Sequence, residues 1–168
     1  MKLTEMLLGD LEREAARTRR VLENVPAGQD SFTPHERSMP FGRLAGLVAS
    51  MPSWVSLIID QDELDLTPAQ GSGQYQPPAM DKLVSVHDDL VAKGRASLQG
   101  TNDEFLTTTN WRLKAGGQVV MNERRDIVLR DTLSHWAHHR GQVTVYLRLV
   151  GAKVPSVYGP SADDQRFL

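Results

Sequence analysis

Cysteine is absent from the 168 residues. That excludes disulfides, thiolate metal sites and cysteine nucleophiles together. Neither sign of charge is in excess: 19 Lys+Arg stand against 21 Asp+Glu, a formal net charge of −2. A general nucleic-acid binder shows a basic excess or patch, so nucleic acid is not expected as a partner. No stretch approaches the roughly 18 uncharged apolar residues of a membrane span. The start, MKLTEMLLGDLERE, turns acidic almost at once and has no signal-peptide core. The expectation is a soluble cytoplasmic protein that engages no membrane. Its length suits one domain, residues 1–168, with a sizeable core.

What is present is helical periodicity. Leu3, Met6, Leu7, Leu11, Ala15, Thr18 and Leu22 recur at helical spacing, so residues 2–24 predict an amphipathic helix, with Thr18 the one polar member of its stripe. Leu44, Leu47, Val48, Met51, Trp54, Val55 and Ile58 give residues 41–59 a wide apolar face. Pro52 sits inside this second helix and cannot donate to the carbonyl of Val48, which predicts a kink there and not a stop. Residues 60–79 are acidic, then rich in Gly, Ser, Gln and Pro, the composition of a long surface loop. Met80, Leu83, Val84, His87, Leu90, Val91 and Leu98 mark a third helix with His87 on its inward face.

Two short β-type runs flank Ala115-Gly116-Gly117 and predict a hairpin or extended crossover over residues 107–121. Asn122 is the expected cap of a last long helix running to Val150, with Gly151 ending it. Residues 152–168, with Pro155 and Tyr158-Gly159-Pro160, read as a turn segment with a frayed end. The fold class is therefore all-α: a four-helix bundle with a short β-hairpin or crossover before the last long helix.

Chemistry concentrates on that last helix, in Ser134-His135-Trp136-Ala137-His138-His139-Arg140-Gly141-Gln142. His135 and His139 are four apart, a spacing that lets two imidazoles reach one metal ion. With 100° per residue and His135 at zero, His139 lies at about +40° and His138 at about −60°. Val128 and Tyr146 fall near +20°, Leu149 near −40°, Val145 near −80° and Leu147 near +120°. The apolar arc is centred between His135 and His139, which predicts that the pair faces the interior and His138 the flank. Asp131, one turn before His135, is placed to accept from the His135 ring and so orient it, or to interact with the helix dipole. Ser134 is not a partner for His135, because neighbours on a helix point about 100° apart. Arg140 can pair with a carboxylate. Trp54, Trp111 and Trp136 read as core or interface anchors.

At these residues the sequence resembles the DinB/YfiT-like family of metalloenzymes. The resemblance runs over essentially the whole chain. It is carried by His135-x-x-x-His139-Arg140-Gly141-Gln142, by Val145-Tyr146-Leu147-Arg148-Leu149 and by the tail from Val154 to Asp163. Upstream, Ser38-Met39-Pro40-Phe41-Gly42-Arg43-Leu44-Ala45 is similar to the start of the family's second helix. The resemblance implies a four-helix bundle, commonly a homodimer. It also implies a divalent metal, nickel or zinc, on three histidines: His135, His139 and a third from helix 2. Some members act on small molecules by activating a thiol on the metal.

The third ligand position holds Leu47, which has no lone pair. Its loss leaves two of three histidines, facing a cavity that Leu47 is expected to bound. His87 is the first substitute ligand to consider, against the plainer reading of a locally bonded core histidine. His35, in the loop before helix 2, reads as exposed, and Asp60 lies too far along helix 2. Two functions follow: a bundle with a degenerate metal site, acting as a binding protein for a small molecule or as a structural dimer; or an active metal-dependent hydrolase or thiol S-transferase with a substitute third ligand. No catalytic residue is assigned. A stress-response role at DNA, suggested only by the damage-inducible name of the family, runs against the charge balance.

Overall fold

A computed structural model describes residues 2–67 and 76–166. Residues 68–75 of the expected loop and the expected frayed end at 167–168 lie outside the described residues. Six helices and a three-stranded sheet make up the described chain, which is mostly helical.

Helix α1 (Leu3–Leu22) buries Leu7, Leu11, Ala15, Thr18 and Leu22 of the stripe read from periodicity; Leu3 is half-buried, and Met6, expected on the stripe, is exposed at the helix start. Its polar member is explained by a partner: the Thr18 hydroxyl accepts from Arg140 Nη1 at 3.0 Å. The free N–H groups of its first turn are satisfied from afar, since Leu3 N and Thr4 N both donate to the Asp103 carboxylate at 2.9 Å.

The expected second helix is two helices, α2 (Phe41–Ser50) and α3 (Ser53–Asp60), bent by 45° at Met51-Pro52. The bend has the predicted cause. Proline lacks the N–H that would have bonded the Val48 carbonyl, and the freed carbonyl accepts instead from Trp136 Nε1 at 2.9 Å. A fold-specific hydrogen bond thereby joins the α2–α3 elbow to the residue beside His135. Trp136→Phe removes the donor and leaves a buried carbonyl unpaired. We expect it to cost about 1–3 kcal/mol in urea unfolding; a loss below a few tenths of that range would show that the carbonyl finds another partner.

Strand β1 (Glu63–Asp65) follows α3. A single 3-10 turn (Met80–Lys82) leads into α4 (Leu83–Gly100), then α5 (Asp103–Thr108), β2 (Asn110–Ala115), β3 (Gln118–Arg124) and α6 (Arg125–Leu149). The hairpin is the one predicted: β2 and β3 pair antiparallel, and Gly116 and Gly117 turn it at φ 60° and 75°. Sequence patterning missed the parallel pairing of β1 with β2, sealed by Glu63 against Arg112 and Lys114, and it missed α5, which takes Thr107 and Thr108 out of the extended run. Asn122 is not a helix cap. It lies in β3, where its side-chain oxygen accepts from Asn110, and α6 starts at Arg125 without a side-chain cap. Gly151, at φ 73°, ends α6 as expected.

Helix α1 packs chiefly on α4 and α6, and α2 and α3 pack on the same two helices. Among the described residues no single helix is long and apolar enough to cross a membrane. The bent α2–α3 pair qualifies only when taken together, and its Phe41, Leu44, Val48, Val55 and Ile58 are core residues.

The face that α6 buries differs from the predicted one. Val128 and Tyr146, near the predicted centre, are buried as expected, and so are Leu129, Trp136, Arg140, Val143 and Leu147 to one side of it, whereas Val145 and Leu149 on the other side are more than half exposed. The buried face is turned by about 70° from the centre of the apolar arc, at 100° per residue. The reason is Arg140, a charged residue at 1% exposure in the middle of that face. Apolar patterning assigns such a residue to solvent, but a guanidinium with enough acceptors can be buried.

Candidate functional site

Because α6 is turned, the histidine pair sits at the margin of the core and not inside it. His135 is exposed and His139 is half-buried. Their Nε2 atoms lie 2.8 Å apart, and the ring centroids 4.6 Å. His139 Nδ1 is 2.7 Å from Gln142 Oε1, which only accepts, so Nδ1 carries the proton and Nε2 offers a lone pair. His135 Nε2 must then be the donor, which leaves His135 Nδ1 as an acceptor. Burial, then the neighbouring His139 and His138, push the His135 pKa below the ordinary histidine value.

His135 borders a cavity of about 510 Å³. The α2–α3 elbow supplies Met51 and Trp54, the sheet side supplies Leu66, Leu113 and Met121, and α6 supplies Val128, Asp131, Thr132 and His135. This is not the predicted cavity, which both histidines were expected to enter and Leu47 to bound: of those three residues only His135 lines it, and on the side of α2 its wall is Met51. Leu47, one turn earlier on the same face of α2, is half-buried against the core, and neither it nor His139 lines the cavity. Sequence reading missed the wall residues. Three of them come from the sheet side, Leu113 and Met121 on the hairpin and Leu66 after β1, and only the assembled sheet brings them against α6.

The other predicted residues fall elsewhere. His138 is exposed, with its ring 5.1 Å from that of His139. Asp131 is exposed on the cavity rim; among the described residues no hydrogen bond joins it to His135. His35 is exposed and accepts from Arg37 N at 3.1 Å. Asp60 accepts from Ser97 Oγ at 2.8 Å, and Ser134 donates to the Arg130 carbonyl.

His87 is inward, as predicted, at 1% exposure. Its ring packs 5.8 Å from Trp136, which leaves α6 about 100° round from His135. Nδ1 meets Asp88 Oδ1 at 2.9 Å, and the buried Nε2 has no partner among the described residues. Burial lowers the His87 pKa, although Asp88 pulls the other way. The unfolded chain thus binds a proton more readily than the native one. The stability His87 contributes is present above about pH 6.5, the ordinary histidine value, and is lost as pH falls below it. We expect unfolding free energy to drop between pH 7 and 5 and the drop to shrink in His87→Phe, measured by denaturant titration. An unchanged slope in the variant would refute the assignment.

The donor set decides what metal the site suits. A tetrahedral ion at 2.0–2.1 Å holds two imidazole nitrogens roughly 3.3 Å apart, so small rotations would admit one between His135 and His139, after the His135 proton moves to Nδ1. A three-histidine centre is another matter. Leu47 donates nothing, and among the described residues no three His, Asp or Glu side chains converge as a metal-binding group. The residues do not fit the three-ligand site that the resemblance implies.

Comparison with known proteins places the chain. A curated relative, an uncharacterized Bacillus subtilis protein called YrdA, is 30% identical over 96 residues, which is 54% of this chain and 56% of that protein. The match thus spans little more than half the length of that relative. A DinB-like protein from Bacillus cereus ATCC 10987 superposes with a TM-score of 0.71 at 24% identity, over 92% of this chain and 97% of that one. A DinB-like protein from Bacillus subtilis gives 0.66 at 18% identity, over 96% and 99% of the two chains. A DinB family member from Exiguobacterium sibiricum 255-15 gives 0.65, also at 18%, over 90% and 93%. These likenesses establish the fold. The sequence pattern of the DinB family matches residues 1–166, and with the fold agreeing over nine-tenths of the chain, this protein belongs to the DinB family.

Proposed function

We propose that this DinB-family protein is a small-molecule-binding bundle of four helical rods, the bent α2–α3 pair counting as one, whose metal site is degenerate. The observation that carries the reading is the donor set: two imidazoles converge at 2.8 Å, and Leu47 stands at the helix-2 ligand position. Two monodentate ligands leave half a tetrahedral shell to water, so zinc or nickel binds weakly and supports no chemistry that needs a fixed open position. The cavity beside His135 supplies the binding function, and the lack of cysteine agrees with a cytoplasmic location. Calorimetric titration of untagged protein with zinc and nickel at pH 7 tests this. We expect no stoichiometric binding in the submicromolar range. Such binding would favour the alternative, a metal-dependent hydrolase or thiol S-transferase with a third ligand.

The same reading takes the protein as a homodimer. Val145 and Leu149, at 57% and 55% exposure, form an uncovered apolar stripe on α6 that a second copy would bury. Sedimentation equilibrium at tens of micromolar is expected to give twice the 18.7 kDa chain mass; a monomer there would count against it.

A further inference from the structure

The cavity beside His135 has a chemical bias in its few polar groups. Its walls are hydrocarbon, thioether and indole. The polar groups on the α6 side are the Asp131 carboxylate, the Thr132 hydroxyl and the His135 ring. Among the described residues no Lys or Arg lines it. Asp131 makes no ion pair among the described residues. The Gln142–His139–His135 chain of hydrogen bonds leaves His135 Nδ1 as an acceptor. The mouth therefore offers one negative charge and several acceptors, and no cation to receive an anion. Trp54, in the opposite wall, adds an indole, whose π-face attracts cations. A carboxylate or phosphate ligand would meet repulsion here, and an uncharged hydrocarbon would leave the acceptors without donors.

We infer that the cavity binds a small primary amine with an apolar, ring-sized body, its ammonium group donating hydrogen bonds to the Asp131 carboxylate and to His135 at the rim while its hydrocarbon fills the space between Met51, Trp54 and Met121. The volume, about 510 Å³, lies within the range of small-molecule sites. The ammonium matches the head group to the rim by charge and by donor count, and the apolar walls supply the affinity. This rests on the reading that the histidine pair is not committed to a metal.

The test uses three near-isosteric probes with the full-length protein in excess EDTA at pH 7: phenethylamine, phenethyl alcohol and phenylacetate. Phenethylamine is protonated at this pH, as an alkyl ammonium titrates near 10. Calorimetry is expected to show phenethylamine binding at least about tenfold tighter than phenethyl alcohol, with phenylacetate weakest, a charge-assisted hydrogen bond being worth roughly a factor of ten or more. Asp131→Asn is expected to erase the preference for the amine, weakening the amine more than the alcohol because only the amine loses a charge-assisted hydrogen bond. Methyl NMR of Met51 and Met121 locates the bound probe. The inference is overturned if the alcohol binds as well as the amine, if phenylacetate binds best, if no probe binds, if Asp131→Asn keeps the preference, or if the shifts avoid Met51 and Met121. None of these outcomes bears on metal affinity. A failure here leaves the degenerate-site reading standing, whereas tight zinc binding by the untreated protein would remove that reading and with it the premise of this inference, so the two failures are told apart by which titration gives them.

Discussion

Leu47→His is expected to bind zinc or nickel about 100-fold tighter than the parent protein. Two imidazoles already converge, with Nε2 atoms 2.8 Å apart, and the missing element is a third donor from α2. Leu47 lies one turn before Met51, which lines the cavity with His135, and next to Val48, whose carbonyl is bonded by Trp136 on α6. The face of α2 that carries position 47 therefore runs beside the stretch of α6 that carries the pair. Position 47 is only half-buried, so an imidazole there does not have to be hidden. The magnitude is the upper end of the 10–100-fold effects produced even by groups that only orient a ligand, and a direct ligand should reach at least that. Titration of both proteins at pH 7, with circular dichroism to confirm the fold of the variant, gives the answer. Equal affinities would mean that position 47 does not reach the pair.

Arg140→Ala is expected to cost about 3–5 kcal/mol of unfolding free energy. The guanidinium is 1% exposed and donates to the Glu14 carboxylate at 2.5 Å, to the Glu14 carbonyl at 3.1 Å, to Thr18 Oγ1 at 3.0 Å and to Tyr158. Tyr158 donates to the same carboxylate at 2.8 Å, and Arg17 pairs with its other oxygen. Burial alone would raise the Glu14 pKa, but Arg140, Tyr158 and Arg17 outweigh it and hold the carboxyl below its usual range. Truncating Arg140 removes the largest of these partners and leaves an anion among α1, α6 and the tail. Arg140→Met combined with Glu14→Leu is expected to recover much of the loss, since removing a buried pair costs less than breaking it. Guanidinium unfolding curves measure both. A loss under about 1 kcal/mol in the single variant would show that the network is not what fixes α6 against α1.

The orientation of α6 that this network sets is also where patterning and packing part company. Local physics was legible along the chain. The periodic leucines of α1 and α4, the Gly116-Gly117 turn, the Gly151 stop and the break at Pro52 are each dictated by neighbours within a few residues, and each is found. The pairing of His135 with His139 is of the same kind, because four-residue spacing on a helix brings two rings together whatever surrounds them. That Leu47 has no lone pair to offer, at the position where the resemblance puts a third ligand, is likewise a property of the residue type.

Where the pair faces could not be read that way. It depends on Arg140 being buried, and Arg140 is buried because Glu14, Thr18 and Tyr158 arrive from 126, 122 and 18 residues away to accept from its two terminal nitrogens. Asn122 misled for a related reason: as a cap it suited the helix behind it, but strand pairing opposite Arg112, with a side-chain bond from Asn110, satisfied more polar groups than one cap would. The cavity is the furthest removed from local rules. Met51, Leu113, Met121 and His135 are distant in sequence, and their apolar side chains look like any core residues until the sheet closes against the elbow of α2 and α3. Chain-local forces, acting over a turn of helix or a hairpin, thus decided which elements form and which donors exist. Long-range burial, above all the cost of leaving a charge unpaired, decided which way those donors look and what space they border.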